Sequence, residues 1–189
     1  MKKLITCIAC TSLLAGLASA QPAQPSSEEF SRKGRWEVYG FGQAAEIFNV
    51  LESDADVLGG GLGVGYHPWE HFSLRCDLGV SSAKFKFEPL FSGSEKTEWT
   101  TLYMGNISLD YHILKTPLTP LITVGAGVGW FSEGVGTTFD QNIGVGVRWD
   151  ASEHVFARAV VSGGVWENTN QEHKGWAALG ISLAVGYRF

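Results

Sequence analysis

The sequence predicts an all-β chain: eight antiparallel strands in up-and-down order, closed into a transmembrane β-barrel. Three observations carry this expectation. From Trp36 to Phe189 apolar residues recur at every second position in eight successive segments, which is the period of a strand. Most of these segments reach the roughly 9–11 residues that a tilted membrane strand needs, whereas strands of soluble proteins usually run to about 5–6. The connections between them alternate between short turns and longer loops, as they do in membrane barrels. No stretch is long and apolar enough for a membrane-spanning helix, and in lipid a closed barrel is the other way to satisfy every backbone polar group.

The chain opens on a segment that is read as a signal. Met1-Lys2-Lys3 is a short positive region, Leu4 to Leu17 is apolar or small, and Ala18-Ser19-Ala20 fits a small-x-small cleavage site, so residues 1–20 are expected to leave as a secretory signal peptide. Cys7 and Cys10 would leave with it, and Cys76 remains as a single thiol with no disulfide framework. Removing Lys2 and Lys3 takes the formal net charge from −5 to −7. With no basic cluster, nucleic-acid binding has no electrostatic support. Residues 21–35, rich in Pro, Ser and charge, read as a flexible periplasmic leader, and residues 36–189 as the barrel.

Strand one is expected over Trp36–Phe48, with Tyr39, Phe41, Ala45 and Ile47 in one register and Trp36 and Val38 in the other. An acidic loop, Asn49–Val57, follows. Strand two, Leu58–His67, sets Leu58, Leu62, Val64 and Tyr66 against Gly59, Gly61, Gly63, Gly65 and His67, and Pro68–His71 turns tightly. Strand three, Phe72–Phe87, sets Leu74, Cys76 and Leu78 against Ser73, Arg75 and Asp77; Glu88–Thr97 is a polar loop. Strand four, about Glu98–Ile113, ends with Ile107, Leu109 and Tyr111 against Ser108, Asp110 and His112. After a turn at Pro117, strand five, Pro120–Trp130, sets Ile122, Val124 and Val128 against Gly125, Gly127 and Gly129. Strand six, Thr138–Trp149, sets Ile143, Val145 and Val147 against Gly144, Gly146 and Arg148, and Asp150–Glu153 turns. Strand seven, His154–Val165, puts Arg158 opposite in register to Ala157 and Ala159, and Trp166–Lys174 is a polar loop. Strand eight, Gly175–Phe189, alternates Leu179, Ile181, Leu183, Val185, Tyr187 and Phe189 with Gly180, Ser182, Ala184, Gly186 and Arg188. An internal repeat supports the hairpins: Gly63–Arg75 and Gly144–Arg158 each run from a glycine-alternating strand through a turn ending Glu-His into a strand bearing Arg.

The two registers have different chemistry. The apolar one would face lipid. Two aromatic groups would form interfacial girdles: Trp36, Trp69, Tyr111, Trp149, Tyr187 and Phe189 at the turn side, and Trp99, Tyr103, Trp130, Trp166 and Trp176 at the loop side. The glycine register would face inward, where an eight-stranded barrel is only wide enough for side chains. It carries Glu37, Arg75, Asp77, Asp110, His112, Arg148, Arg158 and Arg188, which must pair once buried. Glu37 and Arg188 become neighbours on closure and are expected to pair.

The Thr119–Trp130 strand, the Gly144–Trp149 hairpin and the Val-Gly-Tyr-Arg-Phe terminus at Val185–Phe189 resemble the eight-stranded outer-membrane β-barrels that include opacity proteins and the membrane domain of OmpA-type proteins. The resemblance covers Trp36–Phe189. It implies an integral protein of a bacterial outer membrane, a monomer in contact with lipid and lipopolysaccharide, delivered by barrel-assembly machinery that reads the C-terminal strand. Its role would be structural or one of surface contact, although the loops are short for an opacity-type adhesin. A narrow porin-like channel and a lipid A-modifying enzyme are the alternatives, and a soluble lipocalin-type barrel is opposed by the charged inward face.

No site chemistry stands out. The glycine runs at 59–65 and 125–129 alternate by two and lack a following Gly-Lys-Ser/Thr, so they are strands and not phosphate loops. Lipid A deacylases of similar barrels carry His-x-Ser-Asn; the one His-x-Ser here, His71-Phe72-Ser73, has no Asn after it and falls at a turn. Five scattered histidines give no metal-ligand spacing. The acidic segment Glu52–Asp56 reads as a solvated loop. The expectation is no catalytic, cofactor-binding or metal-binding residue.

Overall fold

A computed structural model of the chain describes residues 31–48, 53–87, 96–132, 136–168 and 175–189. The expected signal peptide and residues 21–30 of the leader lie outside them. The described residues form eight strands: β1 Trp36–Phe48, β2 Ser53–Trp69, β3 Phe72–Phe87, β4 Lys96–His112, β5 Leu118–Phe131, β6 Thr137–Asp150, β7 Val155–Asn168 and β8 Gly175–Arg188. Each pairs antiparallel with the next, and β8 pairs with β1, so the sheet is a closed up-and-down barrel. Closure runs to the last residue: the Trp36 amide donates to the Phe189 carbonyl at 3.1 Å, and the Phe189 amide returns a bond to Trp36 at 3.0 Å.

The register fixes the geometry. Partner to partner, Glu37 leads to Gly65, Arg75, Ser108, Gly125, Asn142, Gly164 and Ala178, and back to β1 at Ile47. One circuit thus climbs from position 37 to position 47, a shear of ten residues over eight strands. With strands about 4.8 Å apart and about 3.3 Å per residue, this corresponds to a tilt of about 40° and a radius of about 8 Å.

The strands run past several expected ends. β2 begins at Ser53, so 53–57 of the expected acidic loop is strand: Ala55 and Val57 continue the inward register and are buried, and Asp56 points outward. β7 continues through Trp166 to Asn168, and β4 begins at Lys96. Pro68 lies in β2 at a register shift between Tyr66 and Trp69, which accommodates a residue with no amide to give.

In β1 the apolar register does not face outward. Tyr39 and Ile47 are buried inside with Phe41 and Ala45 on the same face, and Trp36, Val38 and Phe48 are exposed. The outward face between them is Gly40, Gly42 and Ala44. The deciding residue is Glu37, whose carboxylate belongs in the charged interior and whose parity carries Tyr39 and Phe41 with it.

The leader, expected to stay free as far as Arg35, does not do so at its end. Gly34 turns at φ +76°, its amide donates to His67 O at 2.7 Å, and Arg32 is 1 % exposed against the turn end of the barrel.

Candidate functional site

The outer surface is an apolar belt. Leu62 is 72 % exposed, Leu78 66 % and Val185 63 %, and Leu58, Val64, Leu74, Ile107, Val124, Ile143, Val145 and Leu183 are exposed with them. Soluble monomers rarely show a contiguous apolar patch above a few hundred Å². Aromatic side chains bound the belt. Trp36, Trp69, Tyr111, Tyr187 and Phe189 are exposed at the turn end, and Trp99, Tyr103 and Trp130 at the loop end, with Tyr103 stacked on Trp130 at 5.8 Å. From Phe139 to Trp149 on β6, at the tilt given above, the belt is about 25 Å tall. Two members of the expected loop-side girdle are not in it. Trp176 is 7 % exposed and Trp166 packs beside it, their parity placing both inside.

The interior has three tiers. At the turn end, Asp150 draws in three guanidinium groups: Arg148 Nη2 to Oδ1 at 2.8 Å, Arg188 Nη1 to Oδ1 at 2.9 Å and Arg32 Nη2 to Oδ2 at 2.8 Å. Arg148 also donates to Glu37 through both terminal nitrogens and lies over the Phe156 ring at 4.0 Å, while His67 Nε2 is 2.8 Å from Glu37 Oε1. Glu37 and Arg188 are neighbours across the closing strand pair, but the expected ion pair between them is replaced: Glu37 is held by Arg148 and His67, and Arg188 reaches Asp150. Arg32 further donates to the Thr116 and Leu114 carbonyls at 2.7 and 3.4 Å. Burial pulls its guanidinium below the ordinary value, although Asp150 beside it pushes the other way. Its backbone amide donates to Glu70, as does the Ser31 hydroxyl. Burial pushes the Glu70 carboxyl up, but these bonds, with the Lys115 and Arg32 charges, together outweigh it and hold the carboxyl below its ordinary value.

At the upper edge of this charged tier Arg75 donates through Nε to the Tyr39 hydroxyl at 2.8 Å, and that hydroxyl donates to Asp77. Asp110 lies between Arg75 at 3.5 Å and Arg158 at 2.9 Å. All eight charged or titratable residues expected inside are there. His67, at the end of the glycine face of strand two, is buried with them, and Arg32 and Asp150 lie inside where neither was expected. Asp150 lies two residues beyond Arg148, and His67 two beyond Gly65, so strand parity places both; Arg32 precedes the first strand, where no periodicity reaches it.

The middle tier is polar and loosely filled. A cavity of about 150 Å³ is lined by Gln43, Asn106, Asp140, Asn142, Ser162 and Ser182 among others. The loop-side tier is an apolar cluster in which Ile47, Val57, Phe85, Leu102, Phe131 and Trp176 are buried, with Met104 and Trp166 packed against it.

His71 and Ser73 are not brought together as a catalytic pair. His71 Nδ1 bonds the His112 carbonyl at 2.7 Å. Ser73 Oγ is instead 3.2 Å from His112 Nε2, a hydroxyl–imidazole contact that is fully buried and does not line the cavity. Cys76 is exposed on the outer face. Among the described residues, no three His, Cys, Asp or Glu side chains are grouped to hold a metal ion.

The fold is that of the eight-stranded outer-membrane barrels. The N-terminal β-barrel domain of Pseudomonas aeruginosa OprF superposes with a TM-score of 0.50 at 22 % identity, covering 83 % of this chain and 98 % of that one. Neisserial surface protein A superposes with a TM-score of 0.58 at 16 % identity, covering 83 % and 100 %. The outer membrane enzyme PagL aligns more loosely, with a TM-score of 0.47 at 16 % identity over 76 % of this chain and 97 % of that one. No family model and no curated protein sequence matches the chain.

Proposed function

We propose that the protein is an integral protein of a bacterial outer membrane, a monomeric barrel plugged by its own side chains, with a structural or surface-contact role. The observation that carries this reading is the pairing of an apolar, aromatic-bounded outer belt with an interior that holds the charges. A soluble barrel would be the reverse. The turn end, where Trp36 meets Phe189, is periplasmic in this reading, and the longer loops face outward, where they meet lipopolysaccharide and any surface partner. The closing strand, ending on exposed Tyr187 and Phe189, is the segment offered to barrel-assembly machinery. The filled turn-end and loop-side tiers favour a plug over a pore, and the burial of Ser73 and His112 favours a non-enzymatic role.

The test is heat modifiability of the protein extracted from membranes in mild detergent. The folded barrel runs faster on SDS gels than the boiled chain, and planar bilayers containing it show no discrete conductance steps. A single unshifted band from a water-soluble fraction overturns the membrane assignment. Steady ohmic conductance overturns the plug, and a changed lipid A profile on expression overturns the non-enzymatic reading.

A further inference from the structure

The chain that precedes β1 crosses the turn-end mouth of the barrel. Three hairpins close at this end, β2–β3, β4–β5 and β6–β7, and the segment Ser31–Gly34 is bonded to each of them. The Ser31 hydroxyl and the Arg32 amide donate to Glu70, between β2 and β3. Arg32 donates through Nη2 to the Thr116 carbonyl at 2.7 Å and through Nη1 to the Leu114 carbonyl at 3.4 Å, both between β4 and β5. Its Nε and Nη2 donate to Asp150 Oδ2, at the end of β6, at 3.1 and 2.8 Å. A segment bonded to every hairpin of a rim lies across the opening that the rim encloses. The return to β1 is made at Gly34, whose positive φ turns the strap back onto His67.

Two observations mark this strap as separable from the lumen it covers. The barrel's own acids in this tier, Glu37 and Asp150, are already matched by its own guanidinium groups, Arg148 and Arg188. Arg32 is a cation beyond that balance, so its departure leaves neither acid without a guanidinium partner. Beneath the strap lies His67, whose carbonyl and amide bond Gly34 and Arg35. Its ring is 5.5 Å from that of His112, and Nδ1 of each is buried with no hydrogen-bond partner among the described residues. Polar nitrogens held dry carry a cost that entering water relieves. The seated strap gains ion pairing and carbonyl bonds; the open mouth gains hydration of Arg32 and of two imidazoles. Opposing effects of this kind allow a local opening that leaves the sheet intact.

We propose that Arg32 is a detachable stopper: Asp150 Oδ2 and the Leu114 and Thr116 carbonyls form a guanidinium receptor in the turn-end mouth, and withdrawal of Arg32 from it admits water to the charged tier. The receptor suits a planar cation that donates in several directions at once, which a guanidinium does and a sodium ion does not. The loop-side tier stays packed throughout, so the opened lumen is a blind chamber and not a pore.

The test places a thiol under the stopper. Ser73 is fully buried against His112, so Ser73→Cys is made in a Cys76→Ser background. The folded barrel in detergent is then treated with a small, charged, water-soluble thiol reagent. With Arg32 in place the introduced thiol should react slowly, yet faster than the whole barrel unfolds, a rate read from unfolding kinetics extrapolated to zero urea. Adding Arg32→Ala should raise the reaction rate by about tenfold or more while the heat-modifiable band is retained. Guanidinium chloride, well below denaturing concentration, should slow that variant again by filling the vacated receptor, and sodium chloride at the same concentration should not. Equal rates with and without Arg32 overturn the stopper, and a variant that guanidinium does not slow overturns the receptor. A reaction no faster than global unfolding in the protein that keeps Arg32 makes it a fixed plug and overturns its detachment. Should Arg32→Ala fail to fold, this last comparison decides alone.

Discussion

Asp150 and Arg148 show what a buried charge requires. Arg148 divides its donors between Glu37 and Asp150, and Asp150 divides its oxygens among three arginines, one of them from outside the barrel sequence. Arg148→Met should leave Glu37 short of a partner in a site that is 1 % exposed, at a cost of about 3–5 kcal/mol. The urea midpoint of the protein folded in liposomes measures this loss, and Arg148→Lys should recover only part of it because an ammonium cannot fork to two acids. At Glu70 the lowered folded pKa sets the sign of a pH effect. Its hold on Ser31 and Arg32 is complete above the ordinary carboxylate range and fades as pH falls through the lowered value. A spin label at Lys33→Cys, in a Cys76→Ser background, should become more mobile over that acidic window, and in Glu70→Gln its mobility should no longer change with pH there. Charge placement was legible in the sequence because parity dictates it. The pairing was not, since it depends on which long side chains reach across the lumen.

Strand β1 is the element where the apolar pattern misled. Elsewhere, lipid outside and glycine inside make the outer register the greasy one; in β1 the lumen takes Tyr39, Phe41 and Ile47, and the outer face is left with Gly40, Gly42 and Ala44. The small inward residues of β2 explain the exchange. A Cβ on Gly63 would meet the Tyr39 ring at 2.3 Å, so the bulk on one strand fills the space that its neighbour gives up. The inward glycines of β2 are not equivalent. At Gly61 a Cβ would lie 2.0 Å from the Leu78 carbonyl oxygen, which is backbone, whereas at Gly65 the nearest atom is the Glu37 carboxylate at 3.4 Å. Gly61→Ala should therefore cost about 1–3 kcal/mol through forced backbone movement. Gly65→Ala should fall within about 1 kcal/mol of the unaltered protein, because alanine reduces the freedom of the unfolded chain and little else changes. Paired denaturation curves of the two variants check this difference. Strand interiors were readable from the alternation, but their ends were not: Ser53–Val57 and Trp166–Asn168 look like loop by composition and are held in the sheet by partners on neighbouring strands.

At the scale of the molecule, eight alternating segments and an even strand count sufficed to predict the barrel. What they could not reveal was the vertical order of the lumen, with charge at the turn end, a polar cavity in the middle and apolar packing at the loop end. That order depends on the shear, which sets which residues of distant strands share a height. Closure through Trp36 and Phe189 allows recognition to be separated from stability. Removing Phe189 deletes two backbone bonds and one exposed ring, so refolding into pure lipid vesicles should change little. If the terminal strand is read by assembly machinery, the same deletion should sharply reduce the heat-modifiable form in cells. Comparable yields in cells would remove the terminal Phe from that role.

The inward turn of Trp166 and Trp176 gives the protein a built-in optical reference. Of its seven tryptophans, Trp36, Trp69, Trp99, Trp130 and Trp149 lie on the outer register and these two lie within. Acyl chains carrying bromine quench by contact, so vesicles of such lipid should extinguish the outer emission and leave that of the inner pair. The surviving light then reports on the loop-side packing alone, and its loss under denaturant would time the opening of that mouth separately from departure of the belt from the bilayer.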